Sequence, residues 1–256
     1  KQLAERYGFN LKTGSDCEII LHMFKRFGIE KTVNKLDGVF MFVLYDVKSK
    51  IIYASRDPFG VRPGFVGYNK DELFICSESK SLVDYCSKII PFEPGTWWSS
   101  NNKHLFNKFF KIRSYNESNI DSILDNVNRL LKKSVKKRLM ADREIGCLLS
   151  GGLDSSLIAA LVSRYYKMDK LNTFSIGMPG SVDLYYAKKV ADFIQSNHHH
   201  IEVSEQEFLQ AIEKVIYNIE SYDITTVRAS VGNYLVSEYI KDNTDCKVIF
   251  NGDGSD

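Results

Sequence analysis

The residues with the clearest chemistry are Ser150-Gly151-Gly152-Leu153-Asp154-Ser155-Ser156. They stand between a short apolar run, Ile145 to Leu149, and an apolar helical pattern from Leu157 to about Tyr166. Two glycines let backbone N–H groups close around an anion, three serine hydroxyls add donors, and the start of the helix adds its positive end. The pattern predicts a phosphate cradle. A loop of the GxxxxGK[ST] kind would bring a lysine to the terminal phosphates, and this loop has none. Asp154 would repel a phosphate unless a divalent cation such as Mg2+ bridged the two. The loop therefore reads as one that holds pyrophosphate. The plainer alternative, a glycine turn with a capping serine, leaves the acid and the flanking strand and helix without a purpose.

Two other clusters imitate metal sites. Asn251-Gly252-Asp253-Gly254-Ser255-Asp256 has the acids of a calcium loop, but its sixth position is Asp where that loop needs Gly. His198-His199-His200 could place at most two rings on one ion, because consecutive strand residues alternate faces, so the run reads as structural or exposed. The basic residues Lys132, Lys133, Lys136, Lys137 and Arg138 close a helical pattern, where cations are expected from the macrodipole alone.

The elements that must carry these residues follow from periodicity. Apolar positions at helical spacing predict a helix from Ile120 to Leu139, then strands and helices alternate: Ile145 to Leu149, Leu157 to Tyr166, Thr173 to Ile176, Tyr185 to Ile194, His199 to Val203, Glu205 to Ile219, Gly232 to Lys241 and Lys247 to Phe250. Such alternation implies an α/β, doubly wound parallel sheet that binds ligands at the carboxyl ends of its strands. The earlier part reads as sheet-rich α+β. Ser15 is placed to cap a helix from Asp16 to about Phe27, Val39 to Asp46 and Ile51 to Ala54 form a hairpin, and short strands follow at Pro63 to Gly67 and Leu73 to Cys76. A polar stretch separates the parts and predicts domains over 1–112 and 119–256.

Composition narrows the function classes. The chain has 256 residues with 34 basic against 32 acidic side chains, so no general positive field argues for a nucleic-acid partner. No apolar run approaches a membrane span, and the opening KQLAERYGFN has no leader pattern, so a cytoplasmic protein is expected. Five scattered cysteines form no CxxC and fit reduced thiols. The chain opens on Lys1 and stops within a turn, and reads as an internal fragment.

The heptapeptide resembles the pyrophosphate loop of ATP-pyrophosphatase enzymes. With Phe174-Ser175-Ile176-Gly177, the segment Tyr222-Asp223-Ile224-Thr225-Thr226-Val227-Arg228-Ala229-Ser230 and Gly252 to Asp256, it is similar to the synthetase domain of the glutamine-hydrolysing asparagine synthetases of eukaryotic type. Upstream, Ser15 to Glu18, Leu36-Asp37-Gly38-Val39-Phe40, Arg56 to Pro63 and Ser77 to Lys80 resemble that family's glutaminase domain. The resemblance implies an Ntn-hydrolase-type αββα glutaminase domain followed by a doubly wound PP-loop domain, adenine nucleotide alpha-hydrolase-like. It implies the substrates L-aspartate, L-glutamine and ATP, the cofactor Mg2+, and a homodimer. Two rivals remain: another adenylating PP-loop amidotransferase, or a non-catalytic homologue that binds nucleotide or glutamine.

Site roles carry over position by position. Ser150, Gly151, Gly152, Asp154, Ser155 and Ser156 would hold pyrophosphate, and Asp154 with Asp256 would hold Mg2+. Leu148 and Ile176 would face adenine through their backbone, and Asn251 and Gly252 would face ribose. Thr225, Thr226 and Arg228 match a segment at the transferring phosphoryl centre; the alternative for Arg228 is a surface ion pair with Glu220 or Asp223. Asp16 would receive the α-ammonium of glutamine, while a carboxylate near a helix start is also favoured by the dipole. The family's nucleophile, an N-terminal cysteine, has no counterpart here, since the first cysteine is Cys17, so this chain alone is expected not to hydrolyse glutamine. Asp253 stands where the family has a glutamate tied to adenylate formation, and Asn251 where it has serine. A carboxylate set back by about 1.5 Å implies slower adenylation. Arg56, Asp57, Gly60, Arg62 and Pro63 read as a framework turn holding two sheets together.

Overall fold

The computed structural model describes residues 2–70, 72–102, 105–112, 119–166 and 170–254. The chain divides into two compact units, Lys1–Tyr115 and Asn116–Asp256.

In the first unit, α1 (Gln2–Tyr7) and α2 (Glu18–Val33) precede seven strands: β1 (Met41–Asp46), β2 (Ile51–Arg56), β3 (Phe65–Asn69), β4 (Glu72–Cys76), β5 (Lys88–Pro91), β6 (Thr96–Ser99) and β7 (Asn107–Lys108). They form two antiparallel sheets, β1-β2-β6-β7 and β4-β3-β5. Ala54, Val66, Phe92 and Trp98, contributed by both sheets and the turn after β5, form the buried core. The expected hairpin pairs Asp46 with Ile51.

Arg56 ties the sheets together. Its guanidinium, at the end of β2, donates to the carbonyls of Arg62 (2.6 Å), Gly60 (2.7 Å) and Phe92 (2.7 Å), the last of these just beyond β5. Asp57, fully buried, accepts the backbone N–H groups of Phe59, Val61 and Arg62. This is the framework turn expected from the sequence.

The helix expected over Asp16 to Phe27 begins at Glu18 and extends to Val33 across a break at Gly28, whose φ is +74°. Ser15 does not cap it: its hydroxyl accepts from the Cys17 N–H at 3.2 Å, in the turn ahead of the helix. Strands β5 to β7 have no counterpart in the sequence reading, because each is four residues or shorter and shows no clear alternation.

The second unit contains α3 (Ile120–Arg138), β8 (Glu144–Leu148), α4 (Leu153–Tyr165), β9 (Asn172–Gly177), α5 (Val182–Ile194), β10 (Asn197–Glu202), α6 (Glu205–Ile219), α7 (Ile224–Asn243) and β11 (Cys246–Phe250). The four strands are parallel, in the order β10-β9-β8-β11. Period two in β8 sends Ile145, Cys147 and Leu149 to a core shared with Val135 of α3, Ala159 and Val162 of α4, and Ala187 and Ala191 of α5. Phe174 of β9 and Cys246 of β11 meet Val236 and Ile240 of α7 in a separate core, and α6 packs beside α7. From β8 the chain winds outward to β9 and β10, then returns through α6 and α7 to place β11 on the other flank of β8. The carboxyl ends of β8 and β11 thus flank a topological switch point.

The histidine run has protein partners throughout. His198 lies between the hydroxyls of Thr173 (2.9 Å) and Ser175 (3.1 Å), His199 stacks on Phe174 with ring centroids 4.7 Å apart, and His200 meets Glu202 at 3.3 Å. Among the described residues, no three His, Cys, Asp or Glu side chains are grouped to hold a metal ion, and no helix is long and apolar enough to cross a membrane. Of the basic residues ending α3, Lys136 places its ammonium 4.4 Å from the ring centre of Tyr165.

Candidate phosphate-loop site

The loop after β8 is shaped by close backbone packing. Leu149 extends the strand by donating its N–H to the Phe174 carbonyl at 2.8 Å. Gly151 then turns at φ +83°, so near α5 that an added Cβ would lie 2.5 Å from the Ala187 nitrogen. Both conditions require glycine. The helix α4 starts at Leu153, four residues earlier than the periodicity indicated, with Gly152 at its cap position and no side chain capping it. Asn119, Ser204 and Asp223 cap α3, α6 and α7 with their side chains, whereas α5, like α4, starts without a side-chain cap. The first turn of α4 therefore presents backbone N–H groups that no capping side chain takes up, the requirement for an anion at a helix start.

The serines around this turn satisfy one another. Ser150 Oγ and Ser155 Oγ are 2.9 Å apart, and Ser155 Oγ accepts the Ser150 N–H at 3.2 Å. Ser156 Oγ is buried and has no hydrogen-bond partner among the described residues. Asp154 is exposed at the mouth of the loop.

The segment after β11 joins this loop. A Cβ on Gly252 would lie 2.6 Å from the Ser155 nitrogen and 2.8 Å from the Asp154 carbonyl carbon, so the two backbones are in contact. Beside Gly252, the amide of Asn251 donates to Asp253 Oδ2 at 2.9 Å. Leu148 and Asn251 border one groove of about 460 Å³ that also meets Asn233, Lys241 and Ile249. Ile176 packs into the core with Leu148 and Ile249 and lies 3.9 Å from a Cβ built on Gly232.

The structure thus gathers Leu148, Ser150, Gly151, Gly152, Asp154, Ser155, Ser156, Asn251, Gly252 and Asp253 at the switch point, with Ile176 behind them. It does not bond Thr225, Thr226 or Arg228 to that group among the described residues. They lie at the start of α7, eight residues ahead of the predicted helix start, where Asp223 Oδ2 accepts both the N–H and the hydroxyl of Thr226 at 2.8 Å. Those bonds hold the Asp223 carboxyl below its ordinary range. Arg228 is exposed and has no carboxylate partner among the described residues, so the ion pair considered with Glu220 or Asp223 is not formed. Asp256 lies outside the described residues. Tyr186 and Ala187, the backing of Gly151, escaped the sequence reading because only the packing of α5 brings them there.

In the first unit, Asp16 is exposed one residue before the α2 cap position, and among the described residues its carboxylate accepts only the Cys17 thiol, at 3.6 Å.

Comparison with known families gives two matches, which overlap over residues 126–142. A family model described as asparagine synthase matches residues 126–256, and one described as a glutamine amidotransferase domain matches residues 1–142. Proteins named glutamine-hydrolyzing asparagine synthetase from Mus musculus and Homo sapiens are each 43% identical over 287 aligned residues, and one from Gallus gallus is 42% identical. Each alignment covers 100% of this chain and 51% of the relative, so the chain spans about half the length of the curated relatives it matches. The chain belongs to the asparagine synthase family and carries a glutamine amidotransferase domain ahead of its synthase domain.

Proposed function

We propose that the protein carrying this chain makes L-asparagine from L-aspartate and ATP with ammonia drawn from L-glutamine. The first unit is read as an Ntn-hydrolase-type αββα glutaminase and the second as a PP-loop, adenine nucleotide alpha-hydrolase-like domain. The observation that carries the reading is the uncapped start of α4, turned by Gly151 and pressed against Gly252 at the switch point of a parallel sheet.

The aspartate β-carboxylate attacks the α-phosphorus of ATP, the bond to the bridging oxygen breaks, and pyrophosphate leaves, giving β-aspartyl-AMP. Ammonia then attacks the acyl carbon, AMP departs and a proton is lost. The first-turn N–H groups of α4 bind the departing pyrophosphate, and Ser150 and Ser155 exchange their mutual bond for bonds to it. Ser156 finds there the acceptor its buried hydroxyl lacks. Leu148 and Ile176 border the adenine and Asn251 and Gly252 the ribose. Arg228, with no competing carboxylate among the described residues, balances charge at the transferring phosphoryl group beside Thr225 and Thr226. Asp253 is assigned to the adenylation step and Asp16 to the α-ammonium of glutamine.

Mg2+ fits this donor set, because it takes one or two carboxylates and completes its shell with phosphate oxygens and water, and Asp154 stands exposed at the loop mouth. Asp154, with Asp256 as the second ligand, would hold it, and the ion would offset the negative charge on the phosphates. The five cysteines are free thiols, which supports a reducing, cytoplasmic setting.

The test is ATP–pyrophosphate exchange by the full-length gene product. Exchange that depends on aspartate supports the reading. Exchange with a different carboxylic acid instead would make the protein another adenylating relative, and nucleotide binding without exchange would make it a binding homologue.

A further inference from the structure

The glutamine-site reading leaves one well-ordered group without a role. Glu18, the first residue of α2, turns its carboxylate back over the loop that precedes it. Oε1 accepts the Lys12 N–H at 2.8 Å, and Oε2 accepts the Thr13 N–H at 2.7 Å and the Thr13 hydroxyl at 2.6 Å. One helical turn on, His22 Nε2 reaches Oε1 at 3.2 Å. The side chain of Glu18 is only 11% exposed. These donors, the Lys12 N–H foremost, hold its carboxyl down at about 2, so it is ionised wherever the protein works.

A relay runs from this anchor to Asp16. Thr13 Oγ1, held by Glu18, accepts the Ser15 N–H at 3.3 Å, and Ser15 Oγ accepts the Cys17 N–H at 3.2 Å. The bonds bracket Asp16 on both sides. Among the described residues Asp16 itself has only the weak thiol contact, so its carboxylate is placed there by its backbone rather than by side-chain partners. Further back, Arg26 donates to the Tyr7 carbonyl at 2.8 Å, and His22 lies against the ring of Phe9 with centroids 5.4 Å apart, which pins the start of the same loop to α2.

We propose that Glu18 is a positioning residue of the glutamine site: its carboxylate gathers Lys12 and Thr13 and so sets the turn that presents Asp16 to the α-ammonium of the substrate. The inference rests on the assignment of Asp16 made above. A group that acts only by aiming Asp16 affects how well glutamine is held and how strictly its α-amine is required. It leaves untouched the synthesis of asparagine from free ammonia.

The experiment compares glutamine-dependent and ammonia-dependent synthesis by the full-length gene product, with glutaramate, which is glutamine without its α-amine, as the competing amide. Glu18→Gln is expected to raise the glutamine KM about tenfold and to narrow the preference for glutamine over glutaramate, with kcat within about twofold and ammonia-dependent synthesis unchanged. Thr13→Val, which removes both hydroxyl bonds of the relay, to Glu18 and from the Ser15 N–H, and is tolerated at an exposed loop position, is expected to shift KM in the same direction by about threefold, and decides the matter if the Gln variant unfolds. Asp16→Asn separates the two levels. If it raises the glutamine KM while Glu18→Gln and Thr13→Val do not, Glu18 is no positioning residue though the site stands. If Asp16→Asn itself leaves KM unaltered, the glutamine-site reading fails and takes this inference with it.

Discussion

Gly252 and Ser155 are in backbone contact: a methyl group on the first would lie 2.6 Å from the amide nitrogen of the second. Residues about a hundred positions apart, one after β11 and one in the first turn of α4, are thus fastened where the parallel sheet changes its winding direction. The contact makes the geometry of the phosphate loop depend on the position of β11. It also sets the segment assigned to ribose directly against the segment assigned to pyrophosphate, the order in which a nucleotide would lie across the site.

Gly252→Ala must therefore push the two segments apart. We expect it to weaken binding of pyrophosphate with Mg2+ more than tenfold and to lower stability by about 1–3 kcal/mol, the range for overpacking a close contact. Titration calorimetry and urea unfolding of the 256-residue chain read both quantities. Unchanged binding would mean that the β11 segment does not shape the loop.

Gly151 and Gly180 allow backbone strain to be separated from packing. Both have positive φ, +83° and +79°, yet a Cβ at 151 meets the Ala187 nitrogen at 2.5 Å and one at 180 meets nothing within 4 Å. Gly180→Ala should lower stability by about 1 kcal/mol, through conformation alone. Gly151→Ala should lower it by about 1–3 kcal/mol more and abolish pyrophosphate binding. Equal losses in urea unfolding would show that α5 does not press on the loop.

How much of this was legible in the sequence depended on how local its cause was. The loop over Ser150 to Ser156 and the strands around it could be read because apolar runs, glycines and serines act within a few residues. The start of α7 lies eight residues ahead of the predicted one, since Thr225, Thr226, Arg228 and Ser230 break up the apolar positions of Ile224 to Val231 while the capping of Thr226 by Asp223 still starts the helix. The signal for that start, an aspartate three residues before a threonine, is present in the sequence but short. Strands β5 to β7 owe their form to neighbours across the sheets rather than to their own alternation. The contacts of Gly151 with Ala187 and of Gly252 with Ser155 have no sequence signal at all, because they exist only once the sheet has wound.

His198 should make the synthase unit acid-sensitive. Burial above all pushes its imidazole from 6.5 down to about 4, helped by the charges of His200, Lys188 and His199 and opposed by Asp192. Between those values the unfolded chain takes up a proton that the folded one refuses, so stability is full above pH 6.5 and declines as pH falls toward 4. His199, also lowered by burial, adds to the same slope. Urea midpoints at pH 7 and pH 5 should lie closer together in His198→Gln than in the parent chain, since an amide can keep the bond to Thr173 but cannot titrate. An unaltered gap would place the acid sensitivity elsewhere.

Asp253 offers the sharpest test of the adenylation assignment. Its carboxylate is held by the Asn251 amide at 2.9 Å, so the two residues whose types are read as unlike the family's are bonded to each other, on either side of the glycine that touches α4. The bond draws a short acid sideways along its own segment, away from the extra reach of about 1.5 Å that a glutamate would have. Asp253→Glu in the full-length gene product should therefore raise aspartate-dependent pyrophosphate release severalfold. Adding Asn251→Ser, which frees the acid from its neighbour, should raise it further, so that the two substitutions are more than additive. The readout is the initial rate of pyrophosphate release at saturating ATP, where a change in kcat reports the chemical step and a change in KM for aspartate reports binding. If the longer acid leaves kcat where it was, position 253 does not take part in forming the adenylate, and the assignment of that step to the β11 segment is wrong.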